Sequence, residues 1–203
     1  NSFIIASAVT LISLVFNSMA GFVFAKYQFP GRDKLFRFLL AGMIVPAQVT
    51  MLPLFLMLKT MGLINTYVGV IIPGLASIFG IFLIRQFAGS IPDSLIEAAR
   101  IDGASEFKVY RSVVLPLCKP ILLTLALFTF MGTWNDFMWP LIIMTDNANY
   151  TLPVAIANLK GEHLLDLELM MAGSVVTILP VLILFLAFQR HYVRGIMVGG
   201  VKE

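Results

Sequence analysis

Residues 3–25 read FIIASAVTLISLVFNSMAGFVFA, 23 positions without one charged side chain. At a helical rise of about 1.5 Å per residue, such a run crosses a hydrocarbon core about 30 Å thick. Phe38 to Leu58, Thr66 to Ile84, Leu117 to Thr133 and Leu169 to Phe188 repeat the pattern; in the third of these, Lys119 and Pro120 near the start place a basic side chain where it can snorkel to the headgroups. The whole chain agrees. Of its 203 residues 59 % are hydrophobic and 12 % charged, with a mean hydropathy of +0.93, whereas soluble domains carry roughly 25 % charged residues. A soluble enzyme is excluded, and an all-α polytopic transmembrane helical bundle with five spans in this chain is predicted.

Basic residues orient the spans. Lys26, Arg32, Lys34 and Arg37 follow the first run; Arg85, Arg100, Lys108, Arg111 and Lys119 lie between the third and fourth; Arg190, Arg194 and Lys202 follow the last. Twelve of the 14 therefore share one side, and only Lys59 and Lys160 fall on the other. By the positive-inside rule the C-terminus is cytoplasmic and Asn1 external. An external start with no signal-peptide pattern predicts a sixth helix upstream of Asn1.

Several chemistries lack their residues. There is no G-x-x-x-x-G-K-[ST] loop, so nucleotide hydrolysis is not expected in this chain. His163 and His191 lie 28 positions apart on opposite sides of the predicted topology, and Cys118 is the single cysteine. No catalytic residue, metal site, cofactor or nucleic-acid partner is expected. The spans hold almost no ionisable side chains, which leaves ion-coupled transport without its usual groups.

The charged connection from Gln86 to Lys119 has the punctuation of two short helices. Ser94 and Glu97 read as a capping box, Ala98 and Ala99 favour helix, and Gly103 offers a left-handed stop, predicting a helix from Leu95 to Asp102. Ser105 is a candidate cap for a second helix carrying Phe107 and Tyr110, and Pro116 marks the start of the next span. The result is either a knob for docking into a soluble partner or an amphipathic interfacial linker with a solvated charged face.

Glu97-Ala98-Ala99, Asp102-Gly103 and the closing Leu115-Pro116 resemble the EAA loop of binding-protein-dependent ABC importer permeases, with Val113 where the family usually has isoleucine. Phe29-Pro30-Gly31-Arg32, Trp134-Asn135-Asp136-Phe137, Trp139-Pro140, the stretch from Tyr150 to Val154 and the tail from Gln189 to Lys202 extend the resemblance over the chain. They look like the carbohydrate-uptake branch, nearest the smaller permease of maltose-type systems. The resemblance implies a single permease domain over residues 1–203, one of six helices missing before Asn1, and a multi-pass bacterial or archaeal inner-membrane location. It further implies an ABC ATPase dimer coupled through Glu97, Ala98, Ala99, Asp102, Gly103, Leu115 and Pro116. A second permease subunit and an extracytoplasmic solute-binding protein complete the partners besides the lipid bilayer. Sugars or a glycerol-phosphate-type solute are the implied cargo. An importer for another solute class and a passive facilitator are the alternatives.

Asn17, Gln48 and Thr50 are polar groups at membrane depth, candidates to line a passage or to hydrogen-bond between helices. Pro46, Pro53, Pro73 and Pro180 lie within spans, where breaks are expected. Trp134 and Trp139 suit an aromatic belt at the outer interface or a sugar contact. The outer stretch from Asp136 to Glu168 is expected to be irregular, and by resemblance Asn147, Asn149, Tyr150 and Lys160 are candidates to meet the binding protein. Glycines 195, 199 and 200 read as a flexible end that the resemblance places against the ATPase.

Overall fold

The computed structural model describes residues 1–159 and 167–200, with side chains for 1–159 and 167–187. Every regular element described is helical. Helix α1 (Ser2–Lys26) is unbroken, as its uncharged run predicts. The second run is not one span helix: α2 (Arg32–Ala41) tightens into a 3₁₀ turn over Gly42–Ile44, Val45 turns extended at ψ 118°, and α3 (Ala47–Thr60) starts anew. Pro46 explains the break, because its ring drives the preceding residue out of the α region.

The third run is broken in the same way. Helix α4 (Tyr67–Ile71) is capped by Thr66, whose hydroxyl accepts from Gly69 N–H at 3.1 Å, and it ends in a 3₁₀ turn over Ile72–Gly74 around Pro73. Helix α5 (Ile78–Gly89) restarts on Ser77, whose hydroxyl accepts from Gly80 N–H at 2.9 Å. Then come α6 (Asp93–Ile101), α7 (Glu106–Val109), a π turn over Tyr110–Val114, α8 (Leu115–Leu117) and α9 (Lys119–Trp134). The axis bends by 79° between Leu117 and Lys119. The next span thus starts after Cys118 and not at Pro116, since Pro120 offers no N–H to the carbonyl four residues back.

The outer stretch is more regular than expected. It forms α10 (Met138–Ile143), a 3₁₀ turn over Asn147–Asn149 and α11 (Leu152–Asn158). Pro153 sits in the first turn of α11, where the missing N–H has no intrahelical partner to lose. Helix α12 (Leu167–Gly200) runs through Pro180 and continues over the glycine-rich end instead of leaving it as a tail. Two described helices, α1 and Leu167–Ala187 of α12, cross a membrane by length and composition, or up to five spans if each bent pair counts as one.

The chain forms two compact units. The first comprises Asn1–Thr10, Ala47–Gly74 and Leu127–Glu203, with a core of Ile5, Val9, Leu58, Val70, Trp139, Ile143 and Met144. The second comprises Leu11–Pro46 and Leu75–Ala126, with a core of Phe22, Ala88, Ile91, Ile96, Val109, Tyr110, Val114 and Cys118. Asn1, the 61–66 connection and the 135–151 loop, all assigned to one membrane face by charge, meet in the first unit. The 27–31 and 90–118 segments, assigned to the other face, meet in the second.

Candidate functional site

Helix α6 begins two residues earlier than the Ser94–Glu97 box predicts. Pro92, at φ −58° and ψ 132°, occupies the N-cap, no side chain caps the helix, and Asp93 places its carboxylate in the positive first turn. Ser94 is left inside the helix. The other end follows the sequence: Gly103 adopts φ +77°, its N–H donates to Arg100 O and the Ala104 N–H to Ala99 O, both at 3.0 Å. These two bonds are the Schellman arrangement, in which a left-handed residue returns the chain across the last turn. Ser105 then caps α7 as expected, its hydroxyl accepting from Lys108 N–H at 3.4 Å.

Burial splits α6 into two faces. Ile96 is buried in the second unit's core with Ala99 packed against it, whereas Glu97, Ala98, Ile101, Asp102 and Gly103 are exposed. Leu115 is half-buried and Pro116 exposed at the turn into α9. The exposed edge therefore combines a small residue, two acidic side chains and the apolar Ile101.

Two polar clamps missed by the sequence reading hold this edge in place. Lys26, at the end of α1, has a side chain only 6 % exposed; its ammonium donates to Ile91 O and pairs with Asp93 at 2.6 Å. Tyr27 donates its hydroxyl to Glu106, and Arg100 grips the same carboxylate through Nε at 2.8 Å and Nη2 at 3.1 Å. The first clamp ties α1 to the start of α6, and the second ties Tyr27 to both ends of the Gly103 turn. Hydrogen bonds from Arg100 and Tyr27 hold the Glu106 carboxyl below its ordinary pKa, while burial, aided by Glu106, pushes the Tyr27 hydroxyl up.

A group with a depressed folded pKa contributes stability above its unfolded value, about 4.3 for glutamate, and loses it as pH falls through the folded value. The purified protein is accordingly expected to lose thermal stability below about pH 4, with part of that loss absent in Glu106→Gln. Identical acid profiles for the two proteins would show that the carboxylate does not hold the turn.

The passage candidates separate. Asn17 is fully buried in the second unit, its Oδ1 accepting from Ser77 N–H at 3.0 Å, and so bonds between helices at the restart of α5. Gln48 and Thr50 instead line a cavity of ≈ 520 Å³ within the first unit, together with Val9, Met51, Thr133, Asp136 and Trp139. Neither tryptophan lies in an exposed belt. Trp134 is buried and donates Nε1–H to Thr177 O at 3.0 Å, and Trp139 is buried in the core. Each ring is instead packed inside the unit, Trp134 stacked on Phe130 and Trp139 among Ile5, Val9 and Ile143.

The loop residues expected to meet a binding protein are partly used internally. Asn149 donates to Asn65 O at 3.3 Å, and Tyr150, half-buried, packs on the first unit's core while its carbonyl accepts from Asn1. Asn147 is exposed, and Lys160 lies outside the described residues. Asn65, unnoticed in the sequence, organises this loop. At φ 59° it accepts from Thr145 and Asp146 N–H, both at 3.1 Å. Asparagine tolerates the left-handed region, and that preference was the available signal. Among the described residues no cluster of three His, Cys, Asp or Glu side chains is placed to bind a metal.

Comparison with known proteins agrees with this architecture. The arabinooligosaccharides transport system permease protein AraQ of Halalkalibacterium halodurans is 39 % identical over 202 residues, covering 100 % of this chain and 72 % of the relative. The sn-glycerol-3-phosphate transport system permease protein UgpE of Salmonella typhi is 36 % identical, covering 97 % and 71 %. Among solved structures, a bacterial ABC transporter involved in the import of the acidic polysaccharide alginate matches with a TM-score of 0.81 at 25 % identity, covering 94 % of this chain and 72 % of that one. Residues 17–198 match the model of the binding-protein-dependent transport system inner membrane components, and this chain belongs to that family of ABC importer permeases.

Proposed function

We propose that this chain is a single permease domain of an ATP-driven importer for sugars or a glycerol-phosphate-type solute, and that the exposed edge of α6 docks on a separate ATPase dimer. The observation that carries the docking is the edge itself. Glu97 and Asp102 are exposed, Ala98 leaves room for close approach, the turn behind them is held by the Schellman bonds and the Tyr27–Glu106–Arg100 clamp, and the Lys26–Asp93 pair holds the start of the helix. A surface fixed in this way transmits a push instead of absorbing it, and the acidic pair selects a basic groove. Leu115 and Pro116, at the bend into α9, carry that movement onward.

Binding and release of ATP by the partner dimer move α6, and the spans alternate between outward-open and inward-open states. Hydrolysis belongs to the ATPase. A second permease completes the pathway, and an external binding protein delivers the solute near Asn147 to Lys160. The C-terminus lies in the cytoplasm of a bacterial or archaeal cell, on the side of the ATPase. The saccharide and glycerol-phosphate relatives support the cargo class.

Glu97→Lys is the direct test, because it reverses charge on an exposed side chain and leaves Ile96 seated. Purified gently from its native membrane, the wild-type protein is expected to bring an ATPase and a second permease, and the variant to lose most of the ATPase while keeping the permease. Equal ATPase recovery from the two would remove Glu97 from the docking edge.

A further inference from the structure

Positive charge is left unbalanced where α1 gives way to α2. Lys26 pairs with Asp93, and the Asp33 carboxylate is shared between Arg32 at 3.1 Å and Arg85 at 3.3 Å. Lys34 and Arg37 remain. Both are exposed, and among the described residues neither pairs with a carboxylate; Arg37 spends only its Nε–H, on Asp33 O at 3.2 Å. Together with Arg32 and Gln28 they line an open cleft of ≈ 260 Å³ on the second unit.

We infer that this cleft binds the phosphate headgroup of an anionic phospholipid, with Lys34 and Arg37 as its main ligands. The inference goes beyond the importer reading and uses only the placement of the spans in a membrane. Phosphate suits the donors present. The Lys34 ammonium brings three N–H groups, and Arg37 keeps both terminal nitrogens of its fork for phosphate oxygens. The two residues stand three positions apart on α2, so their heads are neighbours on one helix face. Arg32 is fixed against Asp33 and donates Nη1–H to Tyr27 O at 3.3 Å, adding positive field from a set position. Asp33, flanked by two guanidinium groups, leaves the cleft net positive.

The surroundings select a lipid over a soluble anion. Lys26 closes the uncharged run of 23 residues over 3–25, which brings the following cleft to headgroup depth. On α2 itself Leu35 and Phe38 are 47 % and 75 % exposed, so apolar surface for acyl chains adjoins the cations for the headgroup. Basic pockets beside spans are the places where acidic headgroups bind. The volume falls below the roughly 300–1,000 Å³ of sites that enclose a whole ligand, so a headgroup enters and its chains stay outside. The cleft also adjoins the second clamp. Arg32 holds the Tyr27 carbonyl, and the Tyr27 hydroxyl holds Glu106, so a bound phosphate steadies the loop from which that clamp is built.

The test uses the full-length protein with its native partners, purified in detergent and titrated with phosphatidylglycerol, phosphatidylcholine or inorganic phosphate while its melting temperature is followed. Phosphatidylglycerol is expected to raise the melting temperature saturably, and the other two are expected to leave it unchanged. In the double variant Lys34→Gln/Arg37→Gln the apparent affinity for phosphatidylglycerol is expected to fall at least about tenfold, the effect of two interfacial charges. Lys59→Gln, on the opposite membrane face by charge, should keep the wild-type affinity. Equal stabilisation by phosphatidylcholine, or an unchanged affinity in the double variant, overturns the site. Full stabilisation by inorganic phosphate assigns the cleft to a soluble anion and overturns it as a lipid site. Should the double variant fail to assemble, a photoreactive phosphatidylglycerol decides the matter on the wild-type protein: crosslinks between Phe29 and Phe38 support the site, and crosslinks confined to other segments overturn it. None of these readouts needs ATP or cargo. Loss of the importer reading therefore leaves them standing, and their failure leaves that reading untouched.

Discussion

Gly103→Val is expected to insert normally into the membrane and to lose ATP-driven uptake. Gly103 sits at φ +77°, and a Cβ placed there would meet nothing within 4 Å, so the substitution acts through the backbone alone. An ordinary L-residue loses about 1–2 kcal/mol in the left-handed region, and a β-branched one is a steric outlier there. Relaxing the turn breaks the Gly103-to-Arg100 and Ala104-to-Ala99 bonds and withdraws Glu106 from Arg100. Since each 1.4 kcal/mol is a factor of ten in population, uptake in reconstituted vesicles is expected to fall about tenfold or more. Gly103→Asn should retain much of the activity, because asparagine tolerates this conformation. Wild-type uptake by the valine variant would show that the shape of this turn does not matter to transport.

Gly21→Ala is expected to destabilise the protein by about 1–3 kcal/mol, the usual penalty for overpacking. The cause is close approach between α1 and α5. A Cβ on Gly21 would lie 2.6 Å from both Cβ and Cγ2 of Ile84 and 3.0 Å from the backbone nitrogen of Arg85. Ile84 is buried and cannot swing aside. Arg85 is held as well, donating to Phe24 O at 3.3 Å, pairing with Asp33 at 3.3 Å and lying 3.7 Å above the Phe36 ring. The two helices must therefore separate. Gly89→Ala is the control, since nothing lies within 4 Å of its added Cβ, and its melting temperature should stay near wild type. A Gly21→Ala protein that melts with the control would mean the packing can yield at no cost.

Much of the candidate site was legible because its signals are local. The Gly103 stop and the Ser105 cap depend on a residue and its neighbours within four positions, so spacing alone located them. The start of α6 was misplaced because two local signals competed and Pro92, with its fixed φ, prevailed over the Ser94 hydroxyl. Asp93 and Glu106 were unremarkable as sequence, since their partners Lys26 and Tyr27 stand 67 and 79 positions away. A separation of 43 residues likewise hid the partner of Trp134, whose buried N–H donates to Thr177 O.

By itself the sequence determined the membrane class, the helical architecture and the turn that presents Glu97 and Asp102. These follow from uncharged length, helical rise and the conformational freedom of single residues, all short-range quantities. Only the tertiary structure decided where Pro46 and Pro73 break the spans while Pro53 and Pro180 lie within continuous helix, because what neighbours pack against a proline determines whether its lost hydrogen bond ends a helix. It likewise decided that Asn17 joins helices while Gln48 and Thr50 face a cavity with Asp136 and Trp139. Chain segments remote in sequence must meet before a polar side chain acquires either a partner or an empty space.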